Sequence, residues 1–221
     1  MDGIDAWLKN LQRHRLIGIV RAGEPELAYQ MGATLAQAGF RFIEVTWDCP
    51  DVEVIIPRLQ IAYPDCWVGT GTIRRDAELE AALSLGVDFI LTPHTQREWL
   101  GRSRTVGIPL VPGALTPTEI LHAYQLGAPA VKVFPIASVG GTSYLRHLRQ
   151  PLGPIPLIPT GGVTRANAQA FLEAGAIAVG LGRDLFPEPW YSQRDWVGLA
   201  QELGQWLKGL GLTAGAATDS P

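Results

Sequence analysis

The sequence predicts an α/β protein, a single (β/α)8 TIM barrel preceded by an extra N-terminal helix. Eight short apolar strand candidates alternate with helical stretches along the chain, and no linker or change in composition divides them. Four of the helical stretches end in a glycine, and an apolar strand begins within a few residues of each one; glycine readily adopts the left-handed conformation that ends helices. A doubly wound open sheet is the alternative, but no G-x-G-x-x-G follows the first strand.

The elements follow from local pattern, beginning with residues 2–13, which suit a short amphipathic helix. The four helix-ending glycines are Gly39, Gly86, Gly127 and Gly175, and the threonines Thr116 and Thr164 are plausible helix caps. The strand candidates in order are LIGIVRA (16–22), FIEVTW (42–47), WVGTGT (67–72), DFILTP (88–93), PLVPGA (109–114), AVKVFP (130–135), PLIPTGG (156–162) and IAVGLG (177–182). The barrel domain is therefore expected over residues 1–212, and the small, polar segment 213–221 is expected to be a disordered tail.

Composition excludes several classes of function. A net charge of −3 offers no basic surface for nucleic acid, and no apolar run approaches the roughly 18 residues of a membrane span. The mixed, charged N-terminus does not resemble a signal peptide. Cys49 and Cys66 make neither a disulfide framework nor a metal site, so we expect a cytoplasmic protein without a metal ion.

The strand AVKVFP contains a lysine where an apolar residue is expected. The chain has only three lysines, and Lys132 is the one that falls inside a predicted buried strand. Burying an ammonium group costs several kcal/mol unless the group is paired or neutral. One reading is a snorkelling or salt-bridged lysine, and the other is an amine with a lowered pKa that attacks a carbonyl to form a Schiff base.

The spacing of the repeats relates Lys132 to an acidic residue on another strand. Counting five residues from each helix-ending glycine reaches Glu44, Leu91, Lys132 and Gly180. Because side chains alternate along a strand, these equivalent positions should face the same way. Glu44 and Lys132 are therefore expected to share the barrel interior, either as a buried ion pair or as a catalytic pair.

The remaining candidate site residues lie at the C-terminal ends of the predicted strands, because this fold places its catalytic and binding residues there. The ends of the first six strands include the candidate substrate-binding residues Arg21, Thr46, Thr72, Pro93 and Phe134. Strand seven ends in Thr160-Gly161-Gly162, and strand eight ends in Gly182-Arg183. Glycine lets backbone N–H groups approach an anion, and a helix start adds positive potential, so the last two turns are candidates for binding phosphate.

Seven short motifs together resemble a known family. They are EVT (44–46), GTGT (69–72), TPH (92–94), VPG (111–113), KVFP (132–135), PTGG (159–162) and VGLG (179–182). In this order they are similar to the class I aldolases that act on 2-keto-3-deoxy-6-phosphogluconate (KDPG) and 4-hydroxy-2-oxoglutarate (KHG). The resemblance runs from about Leu16 to Phe186.

The resemblance implies a homotrimeric barrel that binds a small 2-oxo acid and needs no cofactor. Lys132 would form the Schiff base and Glu44 would be the acid–base group. Thr72 and Thr160 would hold the pyruvate part of the substrate. The phosphate would lie against Gly161, Gly162 and Gly182.

Two residues depart from the family pattern. Some members have an arginine for the substrate carboxylate where this chain has Asp48, and others have it at the end of the first strand, which Arg21 matches. Where the family often has serine after the last glycine, this chain has Arg183, which either strengthens phosphate binding or pairs with acidic groups at the surface.

Three functions are consistent with these residues. The first is a Schiff-base aldolase that releases pyruvate and an aldehyde, either glyceraldehyde 3-phosphate or glyoxylate. The second is an imine-forming decarboxylase of a β-oxo acid such as oxaloacetate, since the same imine accepts electrons from a departing carboxylate. The third is a non-catalytic barrel that binds a phosphorylated metabolite and uses Lys132 only structurally.

Overall fold

The computed structural model describes residues 3–212, and the predicted tail 213–221 lies outside the described residues. The strand segments are β1 (Leu16–Val20), β2 (Phe42–Thr46), β3 (Trp67–Gly71), β4 (Ile90–Leu91), β5 (Leu110–Val111), β6 (Gly113–Ala114), β7 (Val131–Val133), β8 (Leu157–Pro159) and β9 (Val179–Leu181). The α-helices are α1 (Gly3–His14), α2 (Pro25–Ala38), α3 (Val52–Ala62), α4 (Asp76–Leu85), α5 (Arg97–Thr105), α6 (Pro117–Gln125), α7 (Gly141–Leu152), α8 (Ala168–Glu173), α9 (Glu188–Gln193) and α10 (Trp196–Gly209). Short 3₁₀ turns cover Ala137–Val139 and Arg183–Leu185.

The strands form two parallel sheets, which confirms the predicted α/β class. The larger sheet has the order β5-β4-β3-β2-β1-β9, and the smaller has the order β6-β7-β8. The predicted fifth strand is divided into β5 and β6 at Pro112, which has no N–H to donate to a ladder. One isolated parallel bridge joins Thr160, after β8, to Gly180 in β9. Closure of the two sheets into one barrel stays a prediction.

The glycines that end the helices have the predicted conformation. The φ angles of Gly39, Gly86, Gly127 and Gly175 are +110°, +73°, +89° and +98°, all in the left-handed region. Thr116 caps α6 as predicted, since its hydroxyl accepts a hydrogen bond from the Glu119 N–H.

Thr164 does not start a helix directly. It exchanges hydrogen bonds with Asn167, and α8 begins at Ala168.

Two apolar cores follow from the alternation of side chains along the strands. The outer core lies between strands and helices, whereas an inner core lies on the opposite strand faces. Phe42, Phe89 and Ala130 belong to the inner core near the N-terminal ends of their strands, where Trp7 and Leu11 of α1 pack fully buried against it. The predicted N-terminal helix is therefore present, and it covers that end of the inner core. Within residues 3–212, no helix is long and apolar enough to span a membrane.

Candidate active site

The five-residue spacing places Glu44 and Lys132 on the inner strand faces. The inner core includes Phe42, Phe89, Ala130 and Ala178, each of which precedes a register position by two residues. Residues two apart on a strand share a face. Glu44 and Lys132 therefore lie directly above the inner core, toward the C-terminal ends of their strands.

Lys132 is buried in the middle of β7. Lys132 is 6% exposed, and its backbone N–H donates to the Pro112 carbonyl over 2.9 Å. The Nζ atom lies 5.5 Å from the centroid of the Phe134 ring. No carboxylate among the described residues lies within 4.0 Å of this ammonium group. The structure therefore does not bear out the salt-bridged reading of Lys132.

Glu44 lies in β2 and is 1% exposed, and its Oε2 atom has no hydrogen-bond partner in the described part of the chain. Burial raises the pKa of this carboxyl group, and the positive charges of Lys132 and Arg21 oppose that rise. A buried carboxyl group with an open acceptor atom can exchange a proton with a bound molecule. Glu44 and Lys132 thus lie on inner strand faces as predicted, close enough for the charge of Lys132 to act on Glu44, but no ion pair within 4.0 Å joins them.

Gly71 at the end of β3 makes room for the Glu44 side chain. A Cβ atom at this position would overlap the Glu44 carboxyl group. Glycine inside a strand often marks such a close approach. Residue 71 therefore has to lack a side chain for Glu44 to keep its position.

Arg21, which follows β1, lies at the centre of a polar cluster. Its Nη2 donates to the Thr72 hydroxyl over 2.9 Å, and its Nε lies 3.4 Å from Thr46 Oγ1. The same Nε lies 3.3 Å from Asp48 Oδ1, so the departure at position 48 forms an ion pair with Arg21. The structure therefore joins Arg21, Thr46 and Thr72 at one place, with Asp48 compensating part of the positive charge.

Thr72 has an uncommon backbone conformation, with a φ angle of +64°. A β-branched residue in the left-handed region is strained, and such strain is often found at functional sites. The conformation is supported by a hydrogen bond from the Thr72 N–H to the Leu91 carbonyl at 3.1 Å and by Arg21 on the hydroxyl.

The turn after β8 is packed against the end of β7. A Cβ atom at Gly161, whose φ angle is +85°, would lie 2.9 Å from the Phe134 ring. Gly162 has a φ angle of +86°, and a Cβ there would overlap Ala137. Thr160 is 4% exposed. Phe134, Thr160 and both glycines are thus brought together.

Gly182 and Arg183 follow the neighbouring strand β9, to which Thr160 is bridged through Gly180. The Arg183 side chain is exposed and has no ion-pair or hydrogen-bond partner within residues 3–212. The adjacent Asp184 instead accepts a hydrogen bond from the Arg165 N–H at 2.6 Å. Arg183 is therefore available to an anion, and the alternative of a surface ion pair for it is not borne out.

The prediction that a helix begins directly after each of the two glycine turns is wrong. The segment after Gly162 reaches α8 only at Ala168, and Gly182 is followed by a single 3₁₀ turn. A helix macrodipole therefore contributes little at these turns, and any positive potential there has to come from Arg183 and backbone N–H groups.

Pro93 follows β4 and lies against β6. A Cβ at Gly113 would overlap the Pro93 backbone, and the Gly113 N–H donates to the His94 carbonyl over 3.3 Å. Pro93 is thus fixed in the loop after β4, beside β6. Within the described part of the chain, no cluster of three or more histidine, cysteine or acidic side chains is arranged to bind a metal.

Two residues of this site did not stand out as site residues in the sequence. Gly71 could have been found from the two glycines inside the GTGT strand, which indicate a close approach. Asp48 was identified only as a departure from a family pattern, because its pairing with a residue 27 positions away leaves no local signal.

Comparison with known proteins agrees with this geometry. Residues 7–201 match the family model described as "Aldolase: KDPG and KHG aldolase". The chain is 34% identical over 173 residues to the 2-dehydro-3-deoxy-6-phosphogalactonate aldolase of Escherichia coli K12, a match that covers 77% of this chain and 84% of that protein.

Solved structures show the same similarity. One, named "Native KDPGal structure", has a TM-score of 0.76 and 31% identity, with 89% of this chain and 95% of the other covered. Another is the KDPG aldolase of Legionella pneumophila with pyruvate captured as a covalent carbinolamine, with a TM-score of 0.78, 26% identity and coverage of 88% and 94%.

Proposed function

Because the chain belongs to the KDPG and KHG aldolase family, we propose that Lys132 and Glu44 are the catalytic residues with which it cleaves a 2-oxo-4-hydroxy acid. As a member of this family the protein is an aldehyde-lyase that forms pyruvate and an aldehyde through a Schiff base. The proposed substrates are KDPG, which yields glyceraldehyde 3-phosphate, and KHG, which yields glyoxylate.

One observation carries the assignment of roles. Lys132 and Glu44 are both buried on the inner strand faces, yet no ion pair within 4.0 Å joins them, and Glu44 Oε2 has no hydrogen-bond partner among residues 3–212. A purely structural pair would be expected to satisfy its charges directly, since leaving a buried charge unpaired is costly. This arrangement leaves the amine and the carboxyl group to act on a molecule between them.

The mechanism follows from these two groups. Neutral Lys132 attacks the C2 carbonyl, and Glu44 moves protons while the carbinolamine forms and loses water. The cationic imine then accepts the electron pair of the C3–C4 bond as Glu44 removes the proton of the C4 hydroxyl. The aldehyde leaves, the enamine is protonated at C3, and hydrolysis of the imine releases pyruvate and neutral Lys132. The imine itself is the electron sink, so these steps involve no cofactor.

The pyruvate carboxylate is assigned to the cluster around Arg21. Arg21 supplies the charge, and the hydroxyls of Thr46 and Thr72 hold its guanidinium group in place. Thr160, Phe134 and Pro93 are proposed to line the rest of the pyruvate site.

The phosphate is assigned to Gly161, Gly162, Gly182 and Arg183. Three observations support this assignment: the first two glycines pack closely against the end of β7, a bridge joins Thr160 to Gly180, and the exposed Arg183 side chain has no partner among residues 3–212. The Legionella enzyme, in which pyruvate forms a covalent carbinolamine, supports the same chemistry here.

A second substrate is supported by the comparisons. The 34% identity to a phosphogalactonate aldolase points to 2-keto-3-deoxy-6-phosphogalactonate, the C4 epimer of KDPG. Both epimers carry the same carboxylate and phosphate, so the groups assigned above would bind either one. Choice between the epimers then depends on contacts to the C4 hydroxyl.

The architecture proposed for this enzyme is one closed eight-stranded barrel spanning residues 1–212. Supporting observations are the continuity of β5 and β6 around Pro112 and the bridge between Thr160 and Gly180. A homotrimer in the cytoplasm is proposed from the family resemblance, and light scattering of the purified protein tests the trimer.

Borohydride reduction in the presence of pyruvate tests the assignment of Lys132. One reduced pyruvyl group should be found by peptide mass on Lys132, and Lys132→Arg should abolish both adduct and turnover, because a guanidinium group stays protonated. An adduct on Lys9 or Lys208, or no adduct, would contradict the proposal. Rates of pyruvate formation from the two phosphorylated epimers, KHG and oxaloacetate then identify the substrate and separate cleavage from decarboxylation.

A further inference from the structure

A cavity lies at the end of the molecule opposite the candidate active site. It encloses about 260 Å³ and is bordered by Arg13, His14, Leu16 and Arg41, together with residues at the end of α10. Leu16 begins β1 and Arg41 directly precedes β2, whereas Arg21 and Thr46 lie at the other ends of these strands. The cavity is therefore separated from the proposed reaction site by the length of the strands.

Three basic residues border this cavity, and none of them has an acidic partner among residues 3–212. None of Arg13, His14 and Arg41 has a carboxylate within 4.0 Å among residues 3–212, and no acidic residue borders the cavity. Burial lowers the pKa of His14, and the charges of Arg13 and Arg41 lower it further. The charges of both arginines thus reach His14, and an anion bound beside them would offset their effect on it.

The neighbours of Arg41 do not neutralise it. Burial raises the pKa of the Cys66 thiol to about 11, although Arg41 acts in the opposite direction. The thiol is therefore uncharged at neutral pH. Asp65 and Asp88 also act on Cys66, but neither forms an ion pair with Arg41.

Helix electrostatics explain only part of the cluster. Arg13 and His14 lie in the last turn of α1, where basic residues complement the negative end of the macrodipole. Arg41 precedes a strand and has no such role. Arg41 therefore adds a third basic residue to the lining of the cavity, beside the two at the end of α1.

We propose that this pocket binds a small phosphate ester. The arginines would hold the phosphate by charge-assisted hydrogen bonds, while Leu16, Phe40 and Leu207 offer an apolar wall to the carbon part of the ligand. A cavity of about 260 Å³ is somewhat smaller than the sites that bind drug-sized molecules, so the carbon part has to be small. The site is distinct from the proposed phosphate position beside Arg183.

The test uses His14 as a local reporter. The pKa of each histidine is measured by NMR in the full chain during titration with inorganic phosphate or glycerol 3-phosphate, with sodium chloride at matched ionic strength as the reference. All proteins carry Arg183→Ala, which weakens phosphate binding at the proposed reaction site. The pKa of His14 should rise saturably with either phosphate, whereas those of His122 and His147 should follow the chloride reference.

The matched variant replaces both arginines, as Arg13→Gln with Arg41→Gln. It should bind glycerol 3-phosphate at least about tenfold to a hundredfold more weakly, the range expected when one hydrogen bond to a charged group is lost. Glycerol 3-phosphate should bind at least as tightly as inorganic phosphate. The proposal is overturned if His14 follows the chloride reference, if the double variant binds equally well, or if the carbon part weakens binding. None of these outcomes depends on aldolase activity.

Discussion

Replacing Arg183 by alanine should separate the phosphate site from the pyruvate site. The Arg183 side chain is exposed and unpaired within the described residues, and the neighbouring Asp184 is held by Arg165. Its removal should therefore change the free energy of unfolding by no more than about 0.5 kcal/mol, as is usual for surface substitutions. A charge-assisted hydrogen bond to phosphate contributes about 1.5–3 kcal/mol, so kcat/KM for KDPG should fall about tenfold to a hundredfold.

The assay compares substrates that differ in the phosphate. Pyruvate release from KDPG and from KHG is followed with lactate dehydrogenase and NADH, because KHG has no phosphate for Arg183 to bind. Arg183→Lys keeps the charge and should recover part of the loss, whereas Arg21→Ala should weaken both substrates because both contain the pyruvate carboxylate. Equal losses on KDPG and KHG in Arg183→Ala would refute the phosphate role, and no loss on either would make Arg183 a solvated surface residue.

Three further changes test the neighbouring geometry. Asp48→Asn removes the charge that compensates Arg21, and because the pair is exposed we expect KM to fall only about twofold to fivefold for every 2-oxo acid; a rise in KM would show instead that Asp48 orients Arg21. Gly71→Ala should displace the Glu44 carboxyl group, which should lower kcat by at least about tenfold and the free energy of unfolding by about 1–3 kcal/mol. The control is Gly101→Ala in α5, where a Cβ atom meets open space, and it should leave kcat unchanged. Burial raises the pKa of Glu44 in the folded chain above its value in the unfolded chain. The free energy of unfolding therefore falls as pH rises from the unfolded pKa through the folded pKa. Glu44→Gln should raise Tm at pH 8 but not below pH 4, and an equal change at both pH values would contradict the raised pKa.

The parts of this structure that the sequence predicted are those governed by local rules. Gly39 and Gly127 end their helices in the left-handed conformation because few other residues adopt it without strain. The same glycines set the count of five that brings Glu44 and Lys132 onto one strand face. This count works because side chains alternate along a strand regardless of what surrounds it. Strand existence and side-chain direction could therefore be predicted, and with them the central pair of the candidate site.

What could not be predicted depends on contacts between distant residues. The ion pair of Asp48 with Arg21 joins residues 27 positions apart, and the hydrogen bond of Arg21 to Thr72 joins residues 51 apart. Neither distance has a sequence period, since the intervening helices set it. The repeat predicts that the ends of neighbouring strands meet, but not which side chains touch there. The sequence alone suggests only that the negative charge of Asp48 weakens an anion site. The structure shows that Asp48 also contacts Arg21, so it has two effects. It holds the guanidinium group beside Thr46, and it reduces the positive charge that attracts the substrate carboxylate. The substitution Asp48→Asn measures which of these two effects is larger.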